Sequence, residues 1–569
     1  MTISQLTVTL SELADQSVLS PSTIRLARHL AFLYSEQRDL VVMAAACTIS
    51  ALSAGSVCFD LRTPQALQPE DDEAEPLISI DWPAPDEWVQ ALRSSPMVSL
   101  DPAARDRPLV LDGESLYLTR YWAEQERIIA WVRDRLAGVD ARDGSGVREA
   151  TDMVAGSRFA VVAGGPGTGK TTAMAHILVG LAQGRTDPLR VILTAPTGRA
   201  AARLEQSVQR NLADMGDQPL SLTSGTLHRV LGLKPWGGQD HDASHPLAAD
   251  VVVVDEASML SLHLMALLLD AVAEPTRLIL VGDPDQLASV EAGAVLADIV
   301  ASNAVPVARM THTYRFSGDL ARLAEAIRVG DPDQALAILA EPSEQIEWIQ
   351  ADPGAPGFDP DTLAPLRTAI TDQGLSLIDA ASTGDAQGGL DHLQSHRLLL
   401  AHRHGRSGVS YWTYTARSWL ARLPGGPPMS ATWFPGLPVL ITRNDDLTRV
   451  FNGDSGVIVD AGTDLALALD DPAGPRLIAP DMVPAWEPLY ASTIHKAQGS
   501  QYDAVSLIVP PPTTALLTRE LLYTAVTRAQ SYLRVVGTAD AIRAAIESPA
   551  LRASGLAEKL NKPQQQSTT

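Results

Sequence analysis

FAVVAGGPGTGKTTAMAHILVGLA, residues 159–182, opens as a short β-branched run, passes through glycines and closes as a helical pattern. Inside it, Gly164–Thr171 fits G-x-x-x-x-G-K-[ST], with a strand (Phe159–Ala163) entering and a helix from Thr171 leaving. Glycines let backbone N–H groups converge on phosphate oxygens, and the helix N-terminus adds positive potential. Gly164, Gly165, Pro166, Gly167, Thr168, Gly169, Lys170, Thr171 and Thr172 are therefore the predicted ATP-binding residues. Lys170 is placed on the outer phosphates, and the Thr171 hydroxyl on Mg²⁺.

Outward from this loop, short apolar runs alternate with helical patterns. Val191–Thr194, Val251–Val254 and Leu278–Val281 read as strands of a parallel sheet buried on both faces. The four valines deliver Asp255 toward the metal and Glu256 toward an attacking water. The third run ends in Gly282-Asp283-Pro284-Asp285-Gln286-Leu287, which puts Gln286 where it could orient water or sense the γ-phosphate. A second set of strands is expected at Leu398–Ala401, Ala504–Val509 and Tyr532–Val536. Between its members, Pro438–Thr442, Val457–Asp460 and Leu465–Asp470, with the turn signal Asn452-Gly453, read as a small antiparallel β module.

The first hundred residues read as helical, with helices at Ser22–Leu33 and Leu40–Leu52, and a further helix at Thr119–Leu136. The acidic, Pro-rich stretch Pro69–Glu87 reads as a surface linker, GVDARDGSG after Leu136 as a loop, and the end of the chain as a flexible tail. A chain of 569 residues has room for three or four domains at roughly 100–200 residues each. With 45% hydrophobic and 20% charged residues it is globular, which excludes collagen-like, coiled-coil and wholly disordered classes. Forty-four Lys and Arg against 67 Asp and Glu give −23, which excludes a bulk basic nucleic-acid binder but not a local basic channel. Two cysteines, Cys47 and Cys58, exclude a disulfide framework and fit a reducing cytosol. MTISQLTVTLSELADQ lacks a basic segment followed by an apolar core, so no signal peptide is expected. Leu40–Phe59 is uncharged but rich in Ala, Ser and Thr and has no flanking Lys/Arg cluster. A buried helix in a cytoplasmic protein is the expectation there.

These pieces together resemble a superfamily-1 helicase. The stretch from Thr194 to Ala201 (TAPTGRAA) is similar to that family's DNA-touching motif after the second strand, and Thr226-Leu227-His228 to the next. Thr313-Tyr314-Arg315-Phe316 resembles the motif whose Tyr stacks on adenine and whose Arg reaches the γ-phosphate. TIHKAQGS from Thr493 resembles the DNA motif of the second domain, and LYTAVTRA from Leu522 the final motif, whose Arg completes the ATP site. The stretch from Leu399 to Gly405 (LLAHRHG) and WFPGLPVLITRNDDLTRVFNGDSG from Trp433 further resemble the RecD family, the alpha subunits of exodeoxyribonuclease V (RecBCD).

The resemblance implies two RecA-like P-loop motor domains with a small β-barrel insert, preceded by a helical N-terminal domain. The implied layout is 1–112 for the helical, partner-docking domain and 113–310 for the first motor, with a small insert near 232–249. The second motor then takes 311–405 and 485–550, the β-rich insert 406–484 and a flexible tail 551–569. Lys170, Glu256, Gln286, Arg315 and Arg528 are implied as catalytic, Tyr314 as the adenine contact, and Thr171 and Asp255 as Mg²⁺ ligands. Thr197, Arg199, Thr226, His228, Arg403, Thr493, His495 and Lys496 are implied as the DNA grip. The implied activity is ATP-driven 5′→3′ DNA unwinding on single-stranded DNA and duplex ends, as a subunit with RecB-like and RecC-like partners and no nuclease of its own.

Two departures bear on the nucleotide. The family's adenine-reading Gln has no counterpart: no Gln occurs between Gln125 and Lys170, and the matching place is near Val147. Gln501 follows the Gly-Ser of the fifth motif, where an acidic residue is usual. A weaker ATP-over-GTP preference follows. KPWGGQDHDASH (234–245) occupies the place of a strand-separating hairpin but reads as a loop, with Trp236 either an exposed stacking residue or packed on its own domain. The other readings are a free-standing helicase of the same branch, a structural subunit with a relic ATP site and, remotely, a small-molecule kinase.

Overall fold

The computed structural model describes all residues except 1–8, 68–79, 102–104, 138–142, 217–218, 235, 312–317, 356–357, 446, 472–473, 513, 515 and 563–569. Most of the acidic linker, the start of the GVDARDGSG loop, and Tyr314 and Arg315 lie outside the described residues.

The phosphate-loop strand Phe159–Gly164 sits inside a seven-stranded sheet whose paired neighbours are all parallel. From edge to edge its strands are Asp143–Ser145, Val307–Met310, Phe159–Gly164, Arg277–Gly282, Val251–Val254, Leu189–Ala195 and Leu220–Thr226. The order matters. Strand ends carrying the phosphate loop, Gln286 and Asp255 are neighbours, and those leading to Thr197 and Thr226 follow along the same edge. One sheet edge thus gathers the phosphate loop, Gln286 and Asp255 at its centre, with Thr197 and Thr226 at its side, the edge where open α/β sheets place ligands. A second, five-stranded parallel sheet runs Ile346–Ile349, Ala529–Val536, Tyr502–Ile508, His396–Leu400 and Ala491–Thr493.

The expected small β-barrel takes the form of a five-stranded antiparallel sheet, Arg476–Ile478, Leu465–Leu469, Ser455–Asp460, Pro438–Ile441 and Trp486–Pro488. Its two outer strands do not pair with each other among the described residues, so the ladder stays open. The N-terminal domain is not purely helical. Helices Leu10–Asp15, Pro21–Leu33, Asp39–Ser53 and Pro85–Arg93 pack on a four-stranded sheet built from Phe59–Asp60, Ser115–Leu118, Leu109–Asp112 and Val98–Ser99. The end of the linker stretch also belongs to this domain, because Ile80 and Trp82 pack on its core and Trp82 meets Trp88 edge-on at 6.1 Å.

The apolar helix Asp39–Ser53 is buried along nearly its whole length in that core, so it cannot be the partner-facing surface. Exposed large apolar residues of this domain are Leu26, Phe32 and Leu33 on the preceding helix, and Leu100 after the strand Val98–Ser99. No helix among the described residues is long and apolar enough to cross a membrane.

The tail expected at 551–569 is also corrected. Residues 551–562 return from the five-stranded parallel sheet to the seven-stranded one as a strap ending in the helix Leu556–Asn561. Leu556 and Leu560, one turn apart, enter the core of the first motor. The Ala553 carbonyl accepts from Val57 N at 2.7 Å, Arg552 donates to the Ser289 carbonyl at 2.6 Å, and Lys559 pairs with Asp112 and Glu126. Two apolar residues at i and i+4 suffice to dock a short helix when the backbone around them is also bonded. Residues 232–249 form turns with no strand among the described residues, and Trp236 is 84% exposed rather than packed on its own domain.

Candidate ATP and DNA sites

The phosphate loop turns on Gly169, whose φ of +81° caps the helix Lys170–Ala182 in a conformation that disfavours side chains. Lys170 Nζ donates to the carbonyls of Gly164 at 2.6 Å and Gly165 at 3.0 Å, which holds the ammonium inside the loop's curl. Thr168 Oγ1 donates to the Gly165 carbonyl at 2.8 Å and braces the same turn. Asp255 follows the valine strand, its N–H bonded to the Thr194 carbonyl at 2.8 Å. Burial and the neighbouring Glu256 push the Asp255 carboxyl up, while Lys170 opposes them. Glu256 takes a φ of +51°, a left-handed turn that a non-glycine residue adopts at a cost of order 1–3 kcal/mol. That turn ends the strand and starts the short helix Ala257–Met259.

The Thr171 hydroxyl and Asp255 carboxylate are hard oxygen donors, one at the phosphate loop and one at a strand end two places along the same sheet edge. Among the described residues no group of three His, Cys, Asp or Glu could hold a metal by itself. Hard oxygen donors of this kind suit a divalent cation whose remaining ligands are phosphate oxygens and water.

Gln286 and Arg528 meet across the two sheets. Arg528 donates to Gln286 Oε1 at 2.9 Å, to the Ser500 carbonyl at 3.2 Å and, through Nε, to the Thr524 carbonyl at 3.1 Å. These acceptors are all neutral, so the guanidinium, 2% exposed, carries its positive charge into the seam uncompensated by them. Asp283, Tyr523 and Thr524 belong to the same seam and were not singled out from the sequence. Asp283 Oδ2 accepts from Gln286 Nε2 and from the Tyr523 hydroxyl, each at 3.1 Å, and Thr524 Oγ1 accepts from Leu287 N at 2.8 Å. Burial pushes the Asp283 carboxyl up to about 6, against the field of Lys170. The signal was present in the run GDPDQL, where an Asp follows a buried strand directly.

The DNA-motif residues sit on the same edges. Thr197, Thr226 and Thr493 each accept a backbone N–H, from Ala200 at 3.2 Å, Arg229 at 3.3 Å and Lys496 at 3.3 Å. Using the lone pairs as caps orients each hydroxyl and leaves its proton free to donate, as phosphate contacts require. Thr197 and Thr226 follow adjacent parallel strands of the first sheet, and Leu400 and Thr493 pair in the second, with Arg403 just beyond. Arg199 reaches Ser455 of the antiparallel insert at 3.3 Å, and Arg203 the Gly499 carbonyl at 2.9 Å. His228 is exposed and His495 half-buried. Arg403 and Lys496 both pair with Glu487, at 2.8 and 2.9 Å. Tyr314 and Arg315 are not placed by the described residues.

Family models match along the chain: an N-terminal domain of RecBCD enzyme subunit RecD over residues 15–117, an AAA domain over 146–351 and a UvrD-like helicase C-terminal domain over 488–536. The RecBCD enzyme subunit RecD of Mycolicibacterium smegmatis is 41% identical over 96% of this chain and 98% of its own length. That of Haemophilus influenzae is 28% identical over 84% of each chain. The ATP-dependent RecD2 DNA helicase of Deinococcus radiodurans is 31% identical over 70% of this chain, which spans half of that protein's length. The crystal structure of Bacteroides Pif1 bound to single-stranded DNA overlays with a TM-score of 0.39 at 15% identity, over 68% of this chain and 91% of that one. On identity and coverage, the chain belongs to the family of RecBCD enzyme subunit RecD.

Proposed function

We propose that this chain is the ATP-driven 5′→3′ DNA helicase subunit of a RecBCD-type helicase–nuclease complex. In this reading it works with RecB-like and RecC-like subunits on DNA ends in double-strand-break repair and recombination, in the cytoplasm. The observation that carries the reading is the seam in which Arg528 of one sheet meets Gln286 of the other beside the phosphate loop. An arginine delivered from the opposing domain stabilises the charge spread over the transferring phosphoryl, a contribution of roughly 10³–10⁵ in rate.

Lys170 would hold the outer phosphates, Glu256 would take the proton of the attacking water, and Gln286 would orient that water. Mg²⁺, held by Thr171, Asp255 and the phosphates, would neutralise developing charge. Arg528 reaches the phosphate only when the two sheets close on each other, so hydrolysis is tied to domain motion. That motion shifts the grip of Thr197, Arg199, Thr226 and His228 against that of Arg403, Thr493, His495 and Lys496. Hydroxyl, imidazole and cationic contacts of this kind hold backbone phosphates without reading sequence, which suits a translocating motor.

The subunit reading is favoured over a free-standing helicase by the RecD N-terminal match at 15–117. The N-terminal domain is the proposed docking part, through the helix Pro21–Leu33 rather than the buried helix after it. Truncation before Leu111 would also remove Val57, Cys58 and Val110, which belong to the core of the first motor. Surface substitution is the cleaner experiment. Phe32→Asp should release the chain from its partner subunits on co-purification while DNA-stimulated ATP hydrolysis persists; full-yield co-purification would count against this docking face.

A further inference from the structure

The helix Arg519–Val526 of the second motor faces the strand tips of the first. Arg528, just past its end, and Gln286 are already placed in the hydrolytic set. Tyr523 and Asp283 complete a circuit with them. The Tyr523 hydroxyl donates to Asp283 Oδ2, Gln286 Nε2 donates to the same oxygen, and Gln286 Oε1 accepts from Arg528. Tyr523 and Arg528 are joined through one helix, so four side chains from two domains form a closed ring. All four are 6% exposed or less. The ring also touches the phosphate loop, since a Cβ on Gly165 would lie 2.9 Å from the Tyr523 hydroxyl. Glycine at that position lets the ring and the loop share one space.

An amide has one donating and one accepting end, and a flip exchanges them. With Asp283 beside Nε2, only one orientation of Gln286 presents its oxygen to Arg528. Asp283 is itself held by the Tyr523 proton and by Asp285 N, which donates to Oδ1 at 3.1 Å. Removing the Tyr523 hydroxyl leaves a buried carboxylate short of a donor and frees the amide to turn.

We propose that Tyr523 and Asp283 form a closure latch, a pair of positioning residues that fixes the orientation of Gln286 toward Arg528 when the two motor domains meet over the phosphate loop. The proposal rests on the reading of Lys170, Gln286 and Arg528 as the hydrolytic set. The latch acts through Gln286. Its loss therefore slows turnover without loosening nucleotide binding, a split that a merely structural role would not produce.

The test is steady-state ATP hydrolysis by the full chain with single-stranded DNA, for the parent, Tyr523→Phe, Asp283→Ala, Tyr523→Phe/Asp283→Ala and Lys170→Gln. The expected result is a kcat about tenfold lower in Tyr523→Phe, with KM for ATP within about twofold. The double variant should be no slower than Asp283→Ala alone, because both changes break one circuit. Asp283→Asn, which keeps an acceptor for the Tyr523 proton, should lose less than Asp283→Ala. A Tyr523→Phe kcat within twofold of the parent, or losses that multiply in the double variant, overturns the latch. Hydrolysis surviving in Lys170→Gln overturns the hydrolytic reading beneath it, so the two failures are told apart.

Discussion

Replacing Leu556 by Ala tests whether the end of the chain is part of the first motor. Leu556 is fully buried, and Leu560, one turn later, is 6% exposed in the same core. A buried Leu→Ala change costs roughly 2–5 kcal/mol, the larger figure where the cavity cannot collapse. Here the strap is pinned on both sides of Leu556, by Ala553 and Arg552 before it and Lys559 after it. Collapse is restricted, so the upper half of that range is expected. For a domain of 150–250 residues, each kcal/mol moves the melting temperature by roughly 2–4 °C. The first motor should therefore melt about 7–20 °C lower in Leu556→Ala, followed by differential scanning fluorimetry with a nucleotide analogue to mark its transition. Lys559→Ala should cost far less, about 1 kcal/mol or below, because its partners Asp112 and Glu126 are each more than a third exposed. A Leu556→Ala melting temperature within about 1 °C of the parent would refute the strap, and the sequence-based expectation of a free tail would stand.

What could be read from the sequence follows where physics narrows the choice of residue. Phosphate recognition demands glycines and a Lys at fixed spacing, so Gly164–Thr171 announces itself, and four consecutive valines before Asp255 leave little choice but a central strand. The edge strands were not legible. Leu220–Thr226 reads LSLTSGT, and Asp143–Ser145 reads DGS; neither has the apolar run that betrays a buried strand, because one sheet face or edge stays wet. The strap hid for a related reason. Leu556 and Leu560 are two apolar positions in a short polar stretch, and their burial depends on a core assembled from residues hundreds of positions earlier. The Asp283–Tyr523 pair is 240 residues apart and exists only through the approach of two domains.

Three further outcomes follow. Arg38 grips Glu36 and, with help from Ser95, holds its carboxyl down at about 2 against the opposing effect of burial. A carboxylate with a depressed native pKa stabilises the fold above its ordinary value of 4.5 and loses that effect as pH falls toward 2. Glu36→Gln should thus destabilise the N-terminal domain by about 1–2 kcal/mol at pH 7, after allowance for the partly exposed Arg38, and by progressively less below pH 4.5 in urea titrations. The absence of an adenine-reading Gln between Gln125 and Lys170 should narrow the ratio of kcat/KM for ATP over GTP; a strong ATP preference in steady-state hydrolysis would remove this idea. Glu487→Gln should tighten single-stranded DNA binding by a few-fold at low salt, because it frees Arg403 and Lys496 from a competing carboxylate; an unchanged Kd would mean that neither cation meets DNA.

The most direct measurement is unwinding of 5′-tailed and 3′-tailed duplexes by the purified full chain, with ATP hydrolysis followed in the same samples and Lys170→Gln as control. The account predicts hydrolysis stimulated by single-stranded DNA and strand separation from the 5′ tail alone, both lost in Lys170→Gln. Unwinding from the 3′ tail alone, or hydrolysis that DNA does not stimulate and Lys170→Gln does not abolish, would contradict it.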